Sequence, residues 1–231
     1  MAVDKGGEST FSRRLSALKQ RGCNLLVVND SHSAGHVCQR LLGEPALARR
    51  HLFVPTTATV SSVLGRHDPH PADPSMLGVV DATGAHRPRT GTATTAHAGT
   101  VDPATEWYTA VDDLTDLSGL LDATTDHIDR LTADDPGPST LRVCLESVDP
   151  LFDAVPLFDL FQFLHALTGR VRRERGIGHV HAAAGVGETE LAAIEPLFDV
   201  TVRTRTDEDG TVWQRWRDHE TGEQSEWLQL G

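Results

Sequence analysis

Within Asn24-Leu25-Leu26-Val27-Val28-Asn29, four apolar side chains follow one another without alternation. They are followed at once by a small polar turn and then by an amphipathic stretch, Gly35 to Leu42, which Gly43 and Pro45 close. A strand that is apolar on both faces is a strand covered on both faces, which in practice means a parallel strand between layers of helix. The pattern recurs at His51–Val54, Met76–Asp81, Leu141–Glu146 and Gly178–Ala183, separated by segments of helical period. Helices are expected at 11–20, 57–64, 114–131, 157–175 and 188–195. On the last long helix Phe158, Phe161, Leu164 and Leu167 are read as the core side. Such alternation predicts an α/β fold with a mainly parallel sheet flanked by helices on both faces. Its ligand-binding loops then gather at the C-terminal strand edge.

The end of the chain changes character. Residues 198–204 and 211–217 alternate around Asp209-Gly210, a strong hairpin signal. One α/β domain is expected over 11–218, preceded by a polar, disordered stretch at 1–10 and followed by a loose tail at 219–231. The segment 82–105 lacks periodicity and reads as a surface loop.

Charge narrows the classes of partner. The chain holds 33 acidic against 21 basic residues, for a net charge of −12, and lysine occurs only at Lys5 and Lys19. Acid excess with arginine in place of lysine reads as adaptation to high salt, where screening relieves self-repulsion. An acidic surface argues against direct nucleic-acid binding, which leaves a basic footprint. No apolar run reaches membrane-spanning length and no signal-peptide core opens the chain, so a cytoplasmic location is expected. Cys23, Cys38 and Cys144 match neither a zinc spacing nor a disulfide framework and read as buried thiols.

The turn after the first strand has the length and place of a phosphate loop. Such a loop needs two glycines for inward-turned N–H groups, a lysine for the β/γ-phosphates and a hydroxyl for Mg²⁺. Here the residues are Asp30-Ser31-His32-Ser33-Ala34-Gly35-His36-Val37. Only Gly35 is retained. Asp30 stands at the first glycine, His36 at the lysine and Val37 at the hydroxyl. Taken alone, these residues read more simply as a helix N-terminus capped by Ser31 or Ser33.

The order of the remaining motifs carries a resemblance. Arg142-Val143-Cys144-Leu145-Glu146-Ser147 is similar to a KaiC-type Walker B strand, with Glu146 at the acid position. Phe163-Leu164-His165-Ala166-Leu167-Thr168-Gly169-Arg170 is similar to the helix that follows it. Over roughly 11–217 the chain resembles a haloarchaeal group of uncharacterised proteins that look like degenerate members of the RecA/KaiC ATPase superfamily. The resemblance implies a RecA/KaiC-like fold and self-association. The chain departs from the active pattern at the lysine, at the hydroxyl and at the catalytic acid, since Val54 is followed by Pro55-Thr56-Thr57. The expectation is a pseudo-ATPase without ATP or Mg²⁺ as cofactor, acting as a regulatory or signalling module through protein partners. The alternative is a nucleotide-binding protein or ATPase with an altered loop, in which His32, His36, Asp81 and Glu146 converge.

Other residues have plainer readings. His179 and His181 share a face of one strand and could bind metal with further ligands, but spacing indicates no third, so a structural role ranks first. Asp81 and Glu146 end strands, where acids commonly cap the next element. Arg170, Arg172, Arg173 and Arg175 read as a solvated helix end. Trp213 and Trp216 fall on opposite faces of the hairpin, leaving one available for a partner.

Overall fold

The computed structural model describes residues 14, 16–30, 34–44, 47–67, 75–84 and 106–230. Its elements run α1 (16–21), β1 (Cys23–Asn29), α2 (Ala34–Leu42), β2 (Arg50–Val54), α3 (Val60–His67), β3 (Leu77–Asp81) and β4 (Tyr108–Ala110). They continue with α4 (Leu117–Thr132), β5 (Leu141–Leu145), α5 (Asp149–Ala154), α6 (Leu157–Arg173), β6 (Ile177–Ala183) and α7 (Glu188–Ile194). A 3-10 turn (Glu195–Leu197) then leads into β7 (Val200–Thr206), β8 (Val212–Asp218) and β9 (Leu228–Gln229). The strands form one sheet in the order β4-β3-β2-β5-β6-β1-β7-β8-β9. The pairings from β4 through to β7 are parallel, whereas β8 is antiparallel to both β7 and β9.

Side-chain alternation divides the core into layers. Leu26 and Val28 of β1 face the layer that also holds Ile128 of α4, Leu164 of α6 and Ile194 of α7. Leu25 and Val27 turn the other way, onto Val37 of α2 and Val202 of β7. Further along that second face, Phe53, Val79 and Cys144 meet Cys38, Val60 and Val63. All seven residues of β1 are buried, as its unbroken apolar run requires. Helix α4 starts where the Asp116 carboxylate accepts from the Gly119 N–H at 2.9 Å. Its buried stripe is Leu120, Thr124, His127, Ile128 and Leu131. On α6 the stripe is Leu160, Phe163, Leu164, Leu167 and Val171, one step round from the expected face. Phe158, expected in the core, is 68% exposed, because it lies in the first turn two residues off that stripe.

The C-terminal hairpin turns at Gly210, whose φ is +83°. Trp216 packs inward against the Val200–Val202 layer, while Trp213 on the opposite face donates its indole N–H to Asp207 at 2.6 Å. The tail expected to be loose is tied down instead. Leu228–Gln229 pairs with β8, and the Trp227 ring lies between Arg205 and Arg215, 4.7 and 5.1 Å from their guanidinium carbons. Among the described residues no helix is long and apolar enough to cross a membrane. The 1–10 segment and residues 85–105 of the expected loop lie outside the described residues.

Candidate functional site

The C-terminal ends of the central strands make the edge at which ligands bind in parallel sheets. Ser31, His32 and Ser33 lie outside the described residues. Asp30 accepts from the Thr206 hydroxyl at 3.2 Å. His36 is exposed on the first turn of α2, while Val37 is buried, at 1% exposure, among Leu25, Val27 and Val202. The position that would hold Mg²⁺ in a phosphate loop is thus a core position here.

The acids of this edge are engaged by the chain itself. The Glu146 carboxylate accepts from the Thr57 and Ala58 N–H groups at 3.0 and 3.2 Å and from the Thr57 hydroxyl at 2.9 Å. It clamps the β2–α3 connection, in the way a carboxylate caps a helix start. Asp81 accepts from the Thr83 N–H at 3.0 Å and from the Tyr108 hydroxyl at 3.0 Å. Burial, helped by that carboxylate, pushes the Tyr108 phenol up, so it remains a donor. Asp81 and Glu146 sit on strands separated by β2 and anchor different loops, so they form no acid–base pair. Two of the three arginines of α6 are also engaged within the molecule, Arg170 with Asp129 and Glu174 and Arg172 with Asp199 at 3.2 Å, while Arg173 is exposed. Just beyond the helix, Arg175 pairs with Asp135 at 2.9 Å.

A different group of side chains does converge. Strands β5 and β6 pair with Cys144 opposite His179, and the two-residue period of β6 puts His181 on the same face. Helix α2 crosses this face and brings down Cys38. Its Sγ lies 3.4 Å from the Cys144 Sγ and 3.2 Å from the His179 Nε2. The four residues are buried, and their donor atoms lie within 4.8 Å of one another. None of the three cysteines is in a disulfide, and their environments differ. Burial, with the Asp199 charge, pushes the Cys23 thiol up to about 12. Cys38 goes the other way: the hydrogen bond with Cys144 and the neighbouring His179 outweigh burial and favour its thiolate.

Spacing alone did not reveal this group. Cys38 and Cys144 are 106 positions apart, and only the neighbourhood of β5, β6 and α2 unites them with the histidines. The readable signal was half of it, the shared face of His179 and His181. The two missing donors are the cysteines that read as inert thiols.

With both arrangements in view, the comparisons with known proteins place the chain. A model of a family of unknown function (DUF7504) matches residues 22–204, most of the sequence, and the chain belongs to that family. The matched span contains Glu146 and all four residues of the cysteine–histidine group. No curated protein matches the chain.

Proposed function

We propose that this DUF7504 chain is a non-catalytic RecA/KaiC-like module, a pseudo-ATPase that serves regulation or signalling through protein contacts and self-association. The observation that carries this reading is the bonding of Glu146. Phosphoryl transfer depends on positioning and on neutralising charge with lysine and Mg²⁺. The acid at the Walker-B-like position is used to hold the backbone of Thr57 and Ala58. The hydroxyl position is a valine in the core. The sheet itself supports the RecA/KaiC-like assignment: a helix-covered parallel core, a loop of phosphate-loop length after β1, and Glu146 at the end of β5. The cytoplasm of a salt-loving cell fits the acidic composition.

Calorimetric titration of ATP or GTP, in molar potassium chloride with magnesium, is expected to give no binding heat. Saturable micromolar binding, or magnesium-dependent turnover lost in Glu146→Gln, would overturn the reading. The salt adaptation has its own test. Dialysis into dilute buffer is expected to abolish the folded circular-dichroism signal, and a fold that survives dilute buffer removes the halophilic part of the proposal.

A further inference from the structure

We infer that Cys38, Cys144, His179 and His181 form a structural metal centre that takes a tetrahedral, thiophilic divalent ion, zinc by its chemistry. The inference does not depend on whether nucleotide binds.

The donor set is the first argument. Two sulfurs and two imidazole nitrogens in a tetrahedral arrangement select zinc over hard cations, which prefer oxygen. Two thiolates cancel the charge of a divalent ion, so the assembly is neutral and can be buried without a counter-charge. The four residues are 0–5% exposed, as a closed structural site requires.

Geometry is the second argument. With Zn–S of about 2.3 Å and Zn–N of about 2.0–2.1 Å, tetrahedral edges are roughly 3.8 Å for S···S and roughly 3.5 Å for S···N. The observed S···S and S···N separations are 3.4 and 3.2 Å. These two edges open by only a few tenths of an ångström to seat the ion, and the other donor atoms, all within 4.8 Å of one another, draw in around it.

His181 is oriented by a neighbour other than the sulfurs, the side chain of Asn29. The Asn29 amide nitrogen donates to the Asp30 carbonyl at 3.2 Å, which turns the amide oxygen towards His181. That oxygen can only accept, so His181 Nδ1, 3.0 Å away, carries the proton. Nε2 is therefore a lone pair, buried and met by no hydrogen bond of normal geometry, and it faces the Cys38 side. An imidazole whose far nitrogen is fixed by a carbonyl oxygen is the usual orientation of a metal-ligating histidine. Asn29 is thus a positioning residue, one step removed from the ion. Within the fold the ion joins α2 to β5 and β6.

The test uses the whole chain. Protein expressed with zinc and passed through gel filtration is expected to carry close to one zinc per chain, measured by plasma mass spectrometry. Because the site is closed, the metal should leave only on unfolding with a chelator. Refolding with Co²⁺ should then give the intense visible bands of a tetrahedral cobalt–thiolate. Cys38→Ser and His181→Gln should lose those bands. Should these variants fail to fold, Asn29→Ala keeps all four ligands and should bind zinc roughly 10–100-fold more weakly in competition with a chromogenic chelator. A folded chain that holds no metal and gives no cobalt–thiolate band overturns the inference. So does a metal-free chain two hydrogens lighter, which would mark Cys38 and Cys144 as a redox pair.

Discussion

Gly22→Ala is expected to cost about 3 kcal/mol of stability or more, whereas Gly210→Ala costs about 1 kcal/mol. Both glycines have positive φ, +81° and +83°. That backbone alone penalises an L-residue by about 1–2 kcal/mol. Their surroundings differ. At Gly210 a Cβ would meet nothing within 4 Å. At Gly22 it would sit 2.7 Å from the Arg175 Cα and 2.9 Å from its carbonyl carbon. Those are backbone atoms, which cannot swing aside as a side chain does. They are also fixed by pairing, since the Cys23 N–H donates to the Gly176 carbonyl at 3.0 Å and the Ser139 N–H to the Arg175 carbonyl at 2.8 Å. The turns that feed the neighbouring strands β1 and β6 therefore touch backbone to backbone. Any relief at Gly22 shifts the register on which Asn29, His179 and His181 depend. Urea midpoints of both variants in molar salt give the comparison. Equal losses would mean that this approach is not tight.

What the sequence disclosed follows from what each element needs. Strands β1, β2, β3, β5 and β6 were legible because burial on both faces leaves short, mostly apolar runs between segments of helical period. Strands β4 and β9, of three and two residues, are too short to make a pattern and are held by their neighbours. The six-residue helix α5, which opens Asp149-Pro150, is too short to show a helical period. Asp209-Gly210 was legible because its chemistry is local. Glu146 illustrates the opposite case. An acid at the end of a strand reads the same whether it faces a metal ion or the N–H groups of Thr57 and Ala58, and only the path of the β2–α3 connection separates the two. The cysteine–histidine group is non-local in the same sense. Its members come from α2, β5 and β6, and nothing in their spacing records that β5 lies beside β6.

Acid is expected to loosen the sheet edge that holds β3 and β4, through His127. This residue is 4% exposed on the core face of α4. Arg130 donates to its Nδ1 at 2.8 Å and to the Leu77 carbonyl at 2.9 Å. Nδ1 is therefore the acceptor nitrogen, and Nε2 donates to the Thr109 hydroxyl on β4 at 3.0 Å. Gly78 of β3 leaves the ring its place, since a Cβ there would lie 3.0 Å from Nδ1. A proton can be added only at Nδ1, facing a guanidinium in a buried site. Burial first, then Arg130, push the imidazole down to about 4, with Asp126 opposing weakly. Between the ordinary value of about 6.5 and that folded value, the unfolded chain holds a proton that the folded chain lacks. Stability therefore rises with pH across this window. The contribution is complete above about pH 6.5 and is lost as pH falls towards about 4. The loss is on the order of 2 kcal/mol, after discounting the shift for partial solvent screening. His127→Gln keeps an acceptor for Arg130 and a donor for Thr109 but cannot take the proton. Denaturation midpoints of both proteins, measured from pH 7 to 4, should run together near neutrality and diverge on acidification, with the variant holding up better. Every other ionisable group is common to the two proteins, so the difference between the curves belongs to His127. Parallel curves down to pH 4 would show that the ring accepts its proton in the folded state and that the Arg130 contact yields.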